Sequence, residues 1–176
     1  MAKQPKAFYG SFFHAPEYGG FEYLENALIE IDERGVVERV VAAGDPEQPA
    51  ALAAHREAGT LEELGEGRFG LPGFVDIHVH APQWPQAALA LDEPLYRWLD
   101  ERTFPLESKF ADVDFARKVY SNLVDQLLAR GSTTAVYLGS AHLESSIELA
   151  NICAAAGQRA LVGKTVMDDP QANPDY

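Results

Sequence analysis

The sequence predicts an α/β protein in which a small β-rich module precedes alternating strands and helices. Three observations predict this fold class. Alternating apolar residues flank a glycine-containing turn near Gly35, a pattern typical of a β-hairpin. After residue 70, strand-like and helix-like segments alternate along the chain, which favours a parallel βα arrangement. The composition of the 176 residues, 47% hydrophobic and 23% charged, is that of a chain with a packed core.

Residues 1–70 are predicted to form the N-terminal module, a β structure of sandwich type. The aromatic-rich residues 7–13 suit a short strand, and the alternation over residues 26–41 suits a hairpin. Residues 50–58 have the composition of a helix, in which His55 is expected to be exposed. Several glycines between residues 59 and 70 indicate a loop that ends at a domain boundary near residue 70.

Residues 71–176 are predicted to form the second domain, the start of a parallel βα fold. Its strand candidates are rich in apolar or β-branched residues, and its helix candidates carry apolar residues at helical spacing. The clearest helix begins near Asp112 and is followed by Gly131, as expected of helix ends. The predicted strands are residues 74–80, 133–138 and 159–167, and the predicted helices are residues 91–102, 112–130 and 145–156.

Charge and cysteine content limit the classes of partner and compartment. The formal charge is −13 and the isoelectric point about 4.7, so the surface repels nucleic-acid phosphates and anionic membranes. Neither nucleic acid nor a membrane is therefore expected as a partner. The single Cys153 suits a reducing compartment and is expected to be buried on a helix face. With no secretory signal and no membrane-spanning stretch in the sequence, a cytoplasmic protein is predicted.

Three potential ligands lie at alternate positions of the first strand of the second domain. Asp76, His78 and His80 occupy positions i, i+2 and i+4, so a regular strand would point them to one face. Imidazole is the commonest ligand of zinc-like metals. Pro82 and Pro85 bar a regular continuation, which places the histidines at the carboxyl end of the strand, where βα barrels build their sites. On spacing alone, a metal site and a pair of packed structural histidines both remain open.

Residues 72–80 resemble the first barrel strand of the amidohydrolase superfamily, whose opening His-x-His binds the catalytic metal. Four further segments are similar, in order and spacing, to the guanine deaminase branch of that superfamily. They are residues 81–84, 103–107, 131–134 and 158–168, which read APQW, TFPLE, GSTT and QRALVGKTVMD. The resemblance extends over nearly the whole chain and implies an incomplete (β/α)8 barrel with about three of its strands.

The resemblance also implies a site for one Zn²⁺ ion and a purine. His78 and His80 would be two metal ligands, with iron as the alternative metal, and Asp76 would support them from deeper along the strand. The Gln83 amide would offer a donor and an acceptor to the guanine edge, and Trp84 an aromatic wall. The residues implied to line the substrate site are His80, Ala81, Pro82, Gln83 and Trp84. The implied reaction is hydrolysis of guanine to xanthine and ammonia by a full-length homodimer.

Other polar residues are assigned subordinate roles. His142 follows the second barrel strand and is expected to contact a substrate loop or to cap a helix, because the family's remaining ligands come from later strands. Lys164 is expected to be structural, and Glu107 to be a solvated charge or a helix-start residue. Asp168 and Asp169 are predicted to end the third strand, where they border the site or form a turn.

The implied site is incomplete within this sequence. A full barrel takes about 250 residues, and a catalytic zinc ion normally has three or more protein ligands. We therefore expect a fragment or truncated product that is inactive and poorly folded alone, with no catalytic acid or base among its residues. Two alternatives stay open: another amidohydrolase acting on a nitrogen heterocycle, and a non-catalytic subunit that retains the fold.

Overall fold

The computed structural model describes residues 6–167, and the chain divides into two compact units between Pro72 and Gly73. The N-terminal unit contains one sheet and one helix. Its elements are β1 (Ala7–His14), β2 (Glu22–Ile31), β3 (Val37–Val41), α1 (Gln48–Ala58), β4 (Leu61–Glu63) and β5 (Phe69–Gly70).

The sheet of the N-terminal unit combines antiparallel and parallel pairs. Its order is β3-β2-β1-β4, with β5 also paired to β1. The predicted hairpin is confirmed, because β2 and β3 pair antiparallel. A small core of buried side chains lies under α1: Ala7, Leu28, Val41 and Leu52. The described residues of this unit form a single sheet, so they do not by themselves complete the expected sandwich.

Two sequence-based expectations for the N-terminal unit are wrong. Residues 59–70 are not simply a loop, since β4 and β5 both pair parallel to the free edge of β1. Strands of three and two residues are too short for periodicity to reveal. His55 is also not exposed: its side chain is 21% accessible, and both ring nitrogens are hydrogen-bonded within the unit. The sequence of an alanine-rich helix does not show which of its faces is buried, so the burial of His55 could not be predicted from it.

The C-terminal unit contains a parallel sheet of order β6-β7-β8. The strands are β6 (Phe74–His80), β7 (Ser132–Leu138) and β8 (Arg159–Gly163). A 3₁₀ segment, Ala81–Gln86, follows β6. The helices are α2 (Leu95–Trp98), α3 (Phe104–Glu107), α4 (Val113–Ala129) and α5 (Leu143–Ala156), with a π turn at Leu99–Thr103 and a 3₁₀ turn at Ser108–Ala111.

Local signals explain where the main elements of the C-terminal unit begin and end. The Asp112 carboxylate accepts the backbone N–H groups of Asp114 and Phe115, which starts α4 as predicted. Gly157 adopts a left-handed conformation with φ 75° and ends α5. The helix predicted from residue 91 starts later, after Pro94, and continues in short α, π and 3₁₀ turns.

The third strand of this unit is shorter than predicted. β8 ends at Gly163, so Lys164 follows the strand instead of lying on it. Its ammonium donates to the backbone carbonyls of Ala141 and Thr165, which agrees with a structural role. Asp168 and Asp169 lie outside the described residues.

Helices α4 and α5 cover one face of the sheet and enclose the larger core. Its buried members are Ala81, Phe110, Ala116, Tyr120, Leu123, Val124, Ala135, Tyr137, Leu149 and Cys153. Cys153 is 1% exposed, so the predicted burial of this residue is confirmed. Burial raises the pKa of its thiol to about 11. None of the helices between residues 6 and 167 has the length and apolar character needed to span a bilayer.

The start of β6 requires a glycine. A Cβ atom added to Gly73 would lie 1.9 Å from the hydroxyl oxygen of Thr133, at the start of β7. Such an approach is far inside van der Waals contact, so only a residue without a side chain lets the two strands begin side by side. Gly73 therefore helps to align the strand that carries the two histidines.

Candidate metal and purine site

The candidate site lies where β6 ends. Because β6, β7 and β8 are parallel, their carboxyl ends share one edge of the sheet, and His80 is the last residue of β6. The pairing of β6 with β7 is irregular: Asp76 pairs with Ala135 and Val79 with Tyr137. Three steps on one strand thus match two on the other, as at a β-bulge. Regular alternation is interrupted between Asp76 and the end of the strand.

His78 and His80 converge at this end. Their Nε2 atoms lie 3.0 Å apart and the ring centroids 5.0 Å apart, and both residues are exposed. Two imidazole nitrogens bound at about 2.1 Å to a tetrahedral zinc ion would be separated by about 3.4 Å. The separation of the pair is within a few tenths of an ångström of the value that such an ion needs, and both nitrogens are ligands of the type that zinc prefers.

The histidine pair is not joined by a third ligand among the described residues. Between residues 6 and 167 no group of three or more His, Cys, Asp or Glu side chains is placed to hold a metal ion. His78 and His80 thus supply two of the three or more protein ligands that a catalytic zinc site usually has.

Asp76 supports the end of the strand through the backbone. Its Oδ1 atom accepts the backbone N–H of His78 at 3.1 Å. This contact constrains the main chain next to the first histidine, a contribution to positioning that needs no direct contact with a metal. The predicted supporting role of Asp76 is compatible with this geometry and stays a prediction.

The 3₁₀ segment after β6 contains the other residues predicted to line a purine site. Ala81 and Pro82 are both buried, and Ala81 packs this segment onto the larger core. The Trp84 indole donates its N–H to the Asn122 side chain on α4 at 2.8 Å. The indole also packs against the larger core under α4 and α5. In this conformation its ring is held on the helix layer. Its role as an aromatic wall stays a prediction.

Gln83 lies next to the histidine pair and is bound to Glu107. Its Nε2 atom is 3.4 Å from Nδ1 of His80 and donates to Oε1 of Glu107 at 3.0 Å. Glu107 is only 8% exposed. The expectation that Glu107 is a solvated charge is therefore wrong, because the last turn of α3 packs its side chain against the 3₁₀ segment. The TFPLE segment at 103–107 was a usable signal, but nothing local identified its contact with Gln83.

His142 lies near this edge of the sheet without joining the histidine pair. Its Nδ1 atom is 3.1 Å from the Ser140 hydroxyl, and it occupies the residue position before α5, although its side chain makes no capping hydrogen bond. Burial and the nearby positive charge of Lys164 lower the pKa of His142, whereas the charge of Glu107 acts in the opposite direction. A neutral imidazole is thereby favoured beside the site.

The sequence of this chain matches a family model and is similar to known proteins. The amidohydrolase family model matches residues 69–175. The chain is 40% identical over 179 residues to a guanine deaminase of Dictyostelium discoideum, a match that covers 97% of this chain and 39% of that protein.

Two solved structures have a similar fold. The Escherichia coli guanine deaminase superposes with a TM-score of 0.79 and 29% identity, covering 96% of this chain and 39% of that one. The guanine deaminase of C. acetobutylicum, solved with guanine bound in its active site, superposes with a TM-score of 0.78 and 28% identity, covering 93% and 36%. The chain thus spans less than two fifths of the length of these relatives. On the match to the family model and the agreement in sequence and fold, this chain belongs to the amidohydrolase family.

Proposed function

We propose that this chain is the N-terminal part of a zinc-dependent guanine deaminase, which as a full-length protein hydrolyses guanine to xanthine and ammonia. The observation that carries the proposal is the convergence of His78 and His80 beside Gln83 at the end of a parallel strand. The similarity to guanine deaminases over 97% of the chain supports guanine as the substrate.

Each site residue has a distinct task in this proposal. His78 and His80 would hold a single zinc ion through Nε2, which requires the proton of each neutral ring to sit on Nδ1. When bound, the ion supplies a Lewis acid that activates water for attack on a ring carbon. Gln83 would bind the edge of the purine and orient it, because its amide offers both a donor and an acceptor. Asp76 would hold the backbone of His78 in place.

We further propose that residues 71–176 begin a (β/α)8 barrel, with residues 1–70 as a separate β module of sandwich type. The support is the uncovered face of the parallel sheet. Val75, Ile77 and Leu161 are 62%, 74% and 69% exposed, whereas parallel sheets are normally covered on both faces. Further strands and helices of a longer chain would bury this surface and supply the remaining metal ligands and the catalytic acid and base.

The direct test is the full-length protein that contains this chain. We expect about one zinc ion per chain, measured by elemental analysis, and release of xanthine and ammonia from guanine. The variant His80→Ala should lose both zinc and turnover. The matched control is His14→Ala, since His14 pairs with Glu22 in the N-terminal unit. A zinc-loaded full-length protein that leaves guanine unchanged while hydrolysing another heterocycle would overturn the assignment.

A second test uses residues 1–176 alone. We expect no guanine turnover from this polypeptide, because two histidines do not complete a catalytic zinc site, and we expect poor folding because the sheet leaves one face uncovered. Xanthine production by the purified 176-residue polypeptide would contradict the proposal that its catalytic residues lie elsewhere.

The assembly and compartment follow as further proposals. We propose a cytoplasmic homodimer that binds neither nucleic acid nor membranes. The net charge of −13 disfavours polyanionic partners, and a single buried cysteine suits a reducing compartment. Light scattering of the full-length protein tests the dimer, and a monomeric mass would contradict it.

A further inference from the structure

Two hydrogen bonds attach the 3₁₀ segment after β6 to the helical stretch before α4. Gln83 donates to Glu107 at 3.0 Å, and Gln86 donates to Thr103 at 2.7 Å. Residues three apart lie above one another on a 3₁₀ helix, and residues four apart are neighbours on an α-helix. The spacing of the two donors therefore matches that of the two acceptors, and the segments lie side by side.

The two hydrogen bonds constrain the orientation of their glutamine amides differently. Thr103 carries a hydroxyl, which can donate or accept. Glu107 carries a carboxyl group, which in its ionised form only accepts. The oxygen and nitrogen ends of a glutamine amide have nearly the same shape, so packing alone does not select between two orientations related by a 180° rotation. A partner that only accepts does select, because one orientation places two acceptors face to face.

Glu107 can select the orientation of the Gln83 amide, which lies next to the histidine pair. It is 8% exposed, so water competes little with its hydrogen bond to the amide, and a charged acceptor gives a stronger bond than a neutral one. Its partner Gln83 lies 3.4 Å from the second histidine of the converging pair. The nitrogen end of the amide is thus directed toward Glu107, and the oxygen end is left for another donor.

We propose that Glu107 is a positioning residue that fixes the orientation of the Gln83 amide, and thereby the order of donor and acceptor shown to the purine. This inference rests on the proposed function, in which Gln83 contacts guanine. In this proposal Glu107 acts on substrate recognition through Gln83. With its orientation fixed, the amide binds a ring edge whose donor and acceptor stand in the matching order. It binds an edge with the reverse order less well.

The test is a double-mutant cycle in the full-length, zinc-loaded protein with Glu107→Gln and Gln83→Ala. A glutamine at 107 keeps the shape but can donate as well as accept, so the amide at 83 is free to rotate. We expect Glu107→Gln to raise the KM for guanine about tenfold, with kcat changed less than about threefold and zinc content unchanged. In the Gln83→Ala background the same substitution should change KM less than about twofold, since its effect acts through Gln83.

The outcomes separate this inference from the proposed function. If guanine is hydrolysed but Glu107→Gln has the same effect in both backgrounds, Glu107 is merely structural and the inference fails while the function stands. If the full-length protein does not turn over guanine, the proposed function fails first.

Two further variants keep the result interpretable. Thr103→Val removes the neighbouring hydrogen bond and should lower thermal stability with little change in KM, because it does not orient Gln83. Should Glu107→Gln not fold, Glu107→Asp shortens the acceptor by one methylene and should give the same non-additivity with Gln83→Ala. Additive effects of Glu107→Asp would overturn the inference equally.

Discussion

The two units of this chain each contain a histidine arrangement with well-defined geometry, and the two arrangements differ in how the ring nitrogens are used. In the N-terminal unit, His55 places Nδ1 2.9 Å from the Thr60 hydroxyl and Nε2 3.0 Å from the Glu30 carboxylate. In the C-terminal unit, Nε2 of His78 and Nε2 of His80 lie 3.0 Å from each other. The first ring is partly buried among protein partners, and the second pair is exposed.

The difference shows what distinguishes a structural histidine from a candidate ligand. A ring whose two nitrogens are both satisfied by the fold has no lone pair to offer, and it stabilises the elements that it joins. Two Nε2 atoms that face each other can share one N–H···N hydrogen bond or, when both rings carry their proton on Nδ1, can both give their lone pairs to one cation. Substitutions and changes of pH in the two units test this contrast, from the largest expected effect to the smallest.

The sharpest test replaces one histidine from each arrangement. In the full-length protein, His78→Ala should abolish stoichiometric zinc binding and lower turnover by at least about 100-fold, because it removes a direct ligand. His55→Ala should leave zinc content unchanged and reduce the free energy of unfolding by about 1–3 kcal/mol, since it removes the hydrogen bonds of the ring to Oε1 of Glu30 and to the Thr60 hydroxyl. Elemental analysis and denaturant unfolding measure the two effects. Loss of zinc in His55→Ala would break the contrast.

A second test concerns the glycine that starts β6. In the full-length protein, Gly73→Ala should destabilise the C-terminal unit by at least about 3 kcal/mol, because its Cβ would collide with Thr133. The matched substitution in the other unit is Gly59→Ala, at the end of α1. There the φ of 65° strains an alanine, but no atom lies within 4 Å of the added Cβ, so the cost should be about 1 kcal/mol. Equal losses of stability, followed by denaturant unfolding, would contradict the packing argument.

A third test measures how low pH changes the stability of the N-terminal unit. The hydrogen bond from Arg39 holds the pKa of Glu30 below its ordinary value of 4.5, and the hydrogen bond from His55 acts in the same direction. A carboxylate with a lowered pKa in the folded state contributes stability above pH 4.5, and loses that contribution as the pH falls through the folded-state pKa. The free energy of opening of β1–β3, obtained from hydrogen-exchange rates after correction for the pH dependence of the intrinsic rate, should therefore fall below about pH 4.5.

The variant Glu30→Gln should remove much of that acid dependence. The control is Glu33→Gln. The Glu33 side chain is 90% exposed, and its ion pair among residues 6–167 is with Lys6 at 3.4 Å. If Glu30→Gln retained the acid dependence of the parent protein, the ion pairs of Glu30 would not be its source.

The smallest effect concerns the buried thiol of the C-terminal unit. Burial raises the pKa of Cys153 to about 11, so the thiol stays protonated at pH 8 and reacts poorly with disulfide reagents. We expect labelling by such a reagent to require unfolding, and its rate to rise in a destabilised variant such as Gly73→Ala. Rapid stoichiometric labelling of Cys153 in the native full-length protein would show that the α5 face opens far more readily than its packing indicates.

Local sequence signals were sufficient for much of the fold. The strand over residues 74–80 was predicted with its observed bounds, and the start of α4 at Asp112 followed from capping chemistry. The His-x-His spacing and the parallel βα pattern together predicted the approach of His78 and His80. All of these depend on residues within a few positions of each other, so periodicity and capping preferences report them directly.

The remaining features depend on contacts between distant segments. β4 and β5 pair with β1 across more than 50 residues, the bulge in β6 arises only from its register with β7, and Gln83 meets Glu107 across 24 positions. No local pattern encodes such pairs, because the free energy that selects them comes from packing and hydrogen bonds formed after the chain folds back on itself. The sequence by itself predicted which residues would bind a metal and a purine. The tertiary structure alone decided that one of them, Gln83, donates a hydrogen bond to the buried carboxylate of Glu107.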